Sequence, residues 1–247
     1  MKSRQEKIFS IISDQPEVSV KELSAMLGVS EVTVRKDLSL LEDEGVLKRT
    51  HGGAVQISSD SIEKRMLFRY KEKLRIAQEA VKLVNNGDTI LIEAGSTNAV
   101  FAKELAACRK VHIITNSLYI PKLIKEYDNV QITVIGGNLQ NESEAMVGPI
   151  AKTALSNIFV NKAFLGMDGF SESLGFTCGD FLRAEIGNMM GQRAERIIVL
   201  AEASKFENTG LTSVVELSGV ETVITDENIA EDKLKILKKH NINTVIV

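Results

Sequence analysis

Apolar residues recur with a helical period over the first part of the chain and give way to short β-branched runs after Gly87. Within 4–12, Ile8, Phe9, Ile11 and Ile12 share one stripe, which predicts an amphipathic first helix. Ser19-Val20-Lys21-Glu22 has the spacing of a capping box, in which the Ser19 hydroxyl accepts from the amide of residue 22 and Glu22 reaches back. Leu23, Met26 and Leu27 continue a second helix. Gly28 ends it, because glycine tolerates the left-handed conformation of a tight turn. Ser30 caps a third helix whose Val34, Leu38 and Leu41 fall at i, i+4 and i+7, and Gly45 stops it. Two helices joined by a short glycine-containing turn form a helix-turn-helix. The runs 46–50 and 54–57 then predict a hairpin, or wing, around His51-Gly52-Gly53.

From Gly87 onward strands alternate with helices. Strand-like runs lie at 89–92, 111–115, 130–135, 162–166, 197–201, 222–225 and 244–247, with helical stretches at 99–107, 120–126, 150–155, 183–193 and 231–239. The fold class is therefore α/β with a largely parallel sheet. Residues 1–57 form a small winged helix-turn-helix domain and 76–247 a larger α/β effector domain. The segment 58–75 is a linker with six basic and three acidic residues, running into a helix that continues to about Asn85.

Bulk charge adds little. The net charge is −3; residues 1–75 carry 14 basic against 12 acidic side chains and the remainder 16 against 21. That weak asymmetry does not by itself identify a nucleic-acid binder. No apolar run approaches a membrane span, and the opening residues lack a secretion signal, so a cytoplasmic protein without membrane contact is expected. Cys108 and Cys178 stand far apart without metal-ligand spacing; neither a metal nor a cofactor is expected.

With Val34, Leu38 and Leu41 turned inward, the third helix presents Glu31, Val32, Arg35, Lys36 and Ser39. Arg35 or Lys36 can reach guanine or phosphate, and Ser30 and Thr33 suit phosphate contacts near the helix start. Arg49 and His51 fall near the wing tip. Periodicity alone fits a small bundle with a solvated charged face equally well, and the acidic Glu42-Asp43-Glu44 would have to point away from phosphates.

In a parallel sheet, ligands gather beyond the carboxyl ends of the strands. Those positions hold Gly95-Ser96-Thr97-Asn98, Asn116-Ser117, Gly136-Gly137, Asp168-Gly169 with Thr177 nearby, and Lys205. Glycine and hydroxyls leading into a helix suit a phosphate. Lys205 would add positive charge, and Asp168 would accept from sugar hydroxyls.

Residues 18–54 resemble the N-terminal signature of the DeoR family of bacterial regulators. The resemblance rests on Leu23, Val29-Ser30, Thr33-Val34-Arg35-Lys36-Asp37-Leu38, Leu41-Glu42, Gly45, Leu47, Arg49 and His51-Gly52-Gly53-Ala54. The family usually has a second arginine where Lys36 stands. The remainder resembles that family's effector domain, which is similar to the ribose-5-phosphate isomerase fold, through Ala94-Gly95-Ser96-Thr97, Thr115-Asn116-Ser117-Leu118, Ala163-Phe164-Leu165-Gly166, Gly175-Phe176-Thr177 and Ser204-Lys205-Phe206. Glu93 and Glu202 stand where the family commonly has aspartate. The resemblance implies a repressor of carbohydrate genes that binds operator DNA as a homo-oligomer, dimer or tetramer, and responds to a phosphorylated sugar or related metabolite. The alternative is a sugar-phosphate isomerase with an appended DNA-binding domain. Those isomerases carry an Asp-Gly-Ala-Asp-Glu stretch and a lysine before a glycine-rich segment. Asp168-Gly169-Phe170-Ser171-Glu172 keeps only the first two of these, and 174–179 has no lysine. Sensing without catalysis is the expectation.

Overall fold

The structure, a computed structural model, describes residues 4, 7–8, 11–12, 17–43, 47–49, 53–56 and 61–247, with the side chains at 17, 42–43, 47–49 and 54–56 outside that set. Two compact units divide the chain at Phe68 and Arg69.

In the first unit, Arg4, Lys7, Ile8, Ile11 and Ile12 are helical, and Ile8 and Ile12 are buried. Strand β1 (Glu17–Ser19) leads directly into helix α1 (Val20–Leu27). The capping box forms as its spacing demands: the Glu22 amide donates to Ser19 Oγ at 3.1 Å, and the Ser19 amide donates to Glu22 Oε2 at 2.8 Å. Gly28 closes the helix at φ 65°. Helix α2 (Glu31–Asp43) follows, then β2 (Leu47–Arg49), β3 (Gly53–Gln56) and α3 (Ile62–Leu67). Gly45 and the wing tip at 50–52 lie outside the described residues. Val34, Leu38 and Leu41 meet Ile8, Ile12, Val18 and Leu23 in one apolar cluster. Each such side chain contributes about 1.5–3 kcal/mol by leaving water.

The wing has three strands in the order β1-β3-β2. Strand β1 is a finding that periodicity did not foresee, because three residues are too few to show alternation. Its pairing explains Gly53: a Cβ there would stand 2.1 Å from the Val18 carbonyl oxygen, so only glycine lets β1 and β3 approach.

The helix expected to run on to about Asn85 is two helices. Helix α3 ends at Leu67, Arg69 adopts φ 52°, and α4 (Tyr70–Val81) begins the second unit. Left-handed backbone at a non-glycine residue cannot continue a helix.

The second unit is built on seven parallel strands: β4 (Thr89–Ile92), β5 (Val111–Thr115), β6 (Val130–Val134), β9 (Val160–Leu165), β12 (Ala194–Leu200), β14 (Thr222–Thr225) and β15 (Asn243–Ile246). Their order is β15-β14-β12-β9-β4-β5-β6. The chain leaves β4 toward β5 and later returns to β4's other side with β9, which makes the carboxyl end of this pair a topological switch point. Successive side chains face opposite sides, as in any strand. Leu91, Ala163, Leu165, Ile197 and Val199 join the core beneath α7 (Pro149–Ser156) and α8 (Phe181–Gln192). Phe164 points the other way and stacks on Phe101 of α5 (Ser96–Ala106), with ring centroids 4.4 Å apart. Helices α6 (Tyr119–Ile124) and α9 (Glu231–Lys239) complete the alternation.

Two small antiparallel sheets sit outside this pattern. One pairs β7 (Asn138–Gln140) with β8 (Ala145–Val147); the other orders β10 (Gly169–Ser171), β11 (Gly175–Cys178) and β13 (Thr212–Val215) side by side. Gly169 and Thr177 are therefore paired strand residues rather than loop residues. Among the described residues no helix is long and apolar enough to cross a membrane.

Candidate DNA-reading face and effector crevice

Helix α2 buries one side and offers the other. Glu31, Val32, Arg35 and Lys36 are exposed, Thr33 and Ser39 partly so, and Val32 stands 76% exposed although it is apolar. Ser30 is exposed and caps the helix: its Oγ accepts from the Thr33 amide at 3.3 Å and lies 2.9 Å from the Thr33 hydroxyl. Arg35 rests 3.6 Å from Glu31 one turn earlier, a solvated pair that DNA can displace. Asp37 was not singled out as structural from the sequence, yet it is buried on the inner side. The Arg4 guanidinium answers it with bonds of 2.6 and 3.1 Å. A carboxylate beside Val34 and Leu38 is the signal that such a partner must exist. Arg49 lies on β2 opposite Ala54, and His51 falls outside the described residues.

The strand ends of the second unit sort into two groups. Asn98, Asn116, Ser117 and Thr177 are buried and direct their hydrogen bonds into the fold, although the side-chain oxygen of Asn98 is buried without a partner. The Asn98 amide donates to the carbonyls of Glu93 and Phe164 at 3.0 and 3.3 Å. Asn116 accepts from the Ala94 amide at 2.8 Å, Ser117 Oγ takes the amides of Tyr119 and Ile120, and Thr177 Oγ1 takes that of Gly210. Gly137 and Gly169 allow close passage, since a Cβ would stand 2.6 Å from the Val147 oxygen and from the Gly210 nitrogen, respectively. Gly136 is exposed beyond β6, two strands or roughly 10 Å from β4.

The other group converges on the switch point. Gly95 precedes α5 in extended conformation, and the first main-chain bond of that helix runs from Ala99 to Gly95. The amides of Ser96, Thr97 and Asn98 thus have no intrahelical acceptor. Thr97 donates its hydroxyl to Glu202 at 3.0 Å. Glu202 is buried and sits 2.5 Å from the ammonium of Lys73, itself only 1% exposed. Burial pushes the Glu202 carboxyl up, but Lys73 and Lys205 outweigh it and hold it down to about 2. Asp168 is half-buried and accepts from the Gly179 amide at 3.1 Å and the Cys178 thiol at 3.2 Å, with Arg183 3.6 Å away. Burial raises its carboxyl, yet Lys205 and Arg183 draw it below the usual range. Burial, with Asp168 adding to it, pushes the Cys178 thiol up to about 12, so it stays protonated. Lys205 stands in the field of both carboxylates, on a 3₁₀ turn (Ala203–Glu207) that Asp226 fastens by accepting from the Ala203 amide at 2.8 Å.

Lys73, Arg183 and Asp226 were not singled out for this site from the sequence. The longer carboxylates have visible consequences. Glu202 spans Lys73 and Thr97. Glu93 accepts from the Gly166 amide at 2.8 Å and lies over Gly187, where a Cβ would meet its Oε1 at 2.7 Å.

The two units match the two halves of one regulator architecture: residues 4–60 match the DeoR-like helix-turn-helix domain, and residues 69–227 the DeoR C terminal sensor domain. The chain belongs to the DeoR family. Members of this family are DNA-binding transcriptional regulators. The lactose phosphotransferase system repressor of Lactococcus lactis subsp. lactis is 32% identical over 95% of this chain and 94% of its own. The L-fucose operon activator of Haemophilus influenzae is 30% identical over the full length of both. Among solved structures, ribose 5-phosphate isomerase A from Methanocaldococcus jannaschii aligns with a TM-score of 0.41 and 26% identity, over 54% of this chain and about half (53%) of that one.

Proposed function

We propose that this DeoR-family regulator is a cytoplasmic, homo-oligomeric repressor of carbohydrate genes whose second unit senses a phosphorylated sugar at the β4–β9 switch point. The observation that carries the reading is Lys205. It is partly exposed, lies on the turn just after Glu202, which Thr97 at the start of α5 joins by a hydrogen bond, and its charge draws down both the Glu202 and the Asp168 carboxyls. A phosphate takes the amides of 96–98 together with Lys205, and Asp168 accepts from a sugar hydroxyl. Asn98, Asn116, Ser117, Gly136, Gly137, Gly169 and Thr177 shape the rim. The named relatives act on lactose and fucose systems, which supports a carbohydrate ligand.

Binding without turnover suits the chemistry. A proton-shuttling base works best with a pKa near the working pH. Asp168 is drawn the opposite way and already accepts two hydrogen bonds. On the DNA side, Ser30, Thr33, Arg35 and Lys36 meet phosphates and guanine edges, and Val32 and Glu31 meet neighbouring bases, with Arg49 and His51 following on the wing.

A thermal-shift screen of pentose and hexose phosphates tests the sensor, because a ligand of the native state raises the melting temperature. Lys205→Ala should abolish the shift and the operator response while leaving operator binding intact. Loss of operator binding as well would make Lys205 structural, and turnover of ribose 5-phosphate would replace sensing with catalysis.

A further inference from the structure

Lys73 is charged yet 1% exposed, and so deep a lysine persists only where a carboxylate answers it. Its Nζ lies 2.5 Å from Glu202 Oε1, and the other oxygen of that carboxylate accepts from the Thr97 hydroxyl at 3.0 Å. One carboxylate therefore joins three elements: α4 through Lys73, the amide-rich start of α5 through Thr97, and the turn that carries Lys205. Lys73 belongs to the first turn of α4. Its amide donates at 3.1 Å to the carbonyl of Arg69, the left-handed residue that opens the second unit.

We propose that Lys73 is a positioning residue through which occupancy of the anion crevice is felt at the start of α4, and from there along the chain toward the DNA-reading unit. An anion seated on the α5 amides draws Lys205 away from Glu202. The carboxylate then leans more fully on Lys73 and Thr97, and the first turn of α4 is held more tightly. Lys73 touches no ligand in this scheme; it acts through Glu202. The proposal rests on the sensing reading above.

A purely structural pair would only hold α4 in place. Lys73→Met combined with Glu202→Gln separates the two roles. These near-isosteric neutral residues strand neither charge, and the carbonyl oxygen of the introduced side-chain amide still accepts from Thr97. The full-length protein is probed with inorganic phosphate and with a panel of pentose and hexose phosphates, using DNA upstream of its own gene. In the wild type, a phosphate that raises the melting temperature should change operator affinity by at least about fivefold and slow amide exchange across 70–81. The double variant should keep a thermal shift and its ligand-free operator affinity, while its response falls below about twofold. Lys73→Arg should keep most of the response. A double variant with the full response, or a wild type whose exchange across 70–81 ignores a phosphate that binds, overturns the proposal and leaves sensing standing. If the double variant does not fold, the wild-type exchange experiment decides alone. No thermal shift with any phosphate removes the sensing reading and this one together.

Discussion

Acidification should remove a defined share of the second unit's stability through Glu202. Burial opposes the charged form, but Lys73 and then Lys205 hold the carboxyl at about 2 against its ordinary 4.5. A depressed folded-state value stabilises the protein fully above pH 4.5, and that contribution is lost as pH falls from there toward 2. The depression corresponds to roughly 3 kcal/mol in all, and integrating it from pH 7 down to about pH 3 gives a loss of about 2 kcal/mol. The three tyrosines, Tyr70, Tyr119 and Tyr127, all lie in the second unit and the chain has no tryptophan, so tyrosine fluorescence in urea follows that unit alone. Other carboxylates titrate over the same range, and Glu202→Gln supplies the reference that cannot ionise there. At neutral pH the variant should be less stable by about 3–5 kcal/mol, because the buried Lys73 loses the carboxylate that it bonds. As pH falls the two stability curves should converge by about 2 kcal/mol. Parallel curves would refute the charge pairing of Lys73 with Glu202.

Two substitutions probe the first unit. Arg35→Ala should cost at least about 1 kcal/mol of operator affinity in a gel shift if its side chain reads a base, with the melting temperature unchanged; equal affinity removes Arg35 from the reading face. Gly53→Ala places a Cβ 2.1 Å from the Val18 oxygen and should lower the stability of the winged unit by about 1–3 kcal/mol in circular-dichroism melts, whereas an unchanged melt would disprove the β1–β3 approach.

What the sequence made legible were features set by local physics. Ser19 with Glu22, Gly28 at φ 65° and the inward seam of Val34, Leu38 and Leu41 depend only on near neighbours. Three of the seven parallel strands, β4, β5 and β14, have the bounds that their β-branched runs suggest. The rest required distance along the chain. Gly53 serves a strand more than thirty residues away, and Phe176 and Cys178 pair with β13 rather than ending a loop. Of the candidate ligand residues, Thr97, Asp168 and Lys205 share one charge network, but Asn98, Asn116 and Thr177 carry the same polar signature while facing inward. Composition does not tell a side chain that binds a ligand from one that fastens a strand end. Lys73 looks like an ordinary surface lysine in a charged run until its partner is brought up from far along the chain, just past β12.

The Thr97–Glu202 bond links positions 105 residues apart, so the sensor closes late. On a ribosome adding roughly 5–20 residues per second, the DNA-reading unit is complete many seconds before Glu202 is made. A product cut short in that interval keeps an operator reader and has no means of answering a metabolite. It also keeps Lys73 without Glu202, the carboxylate that it bonds in the finished protein.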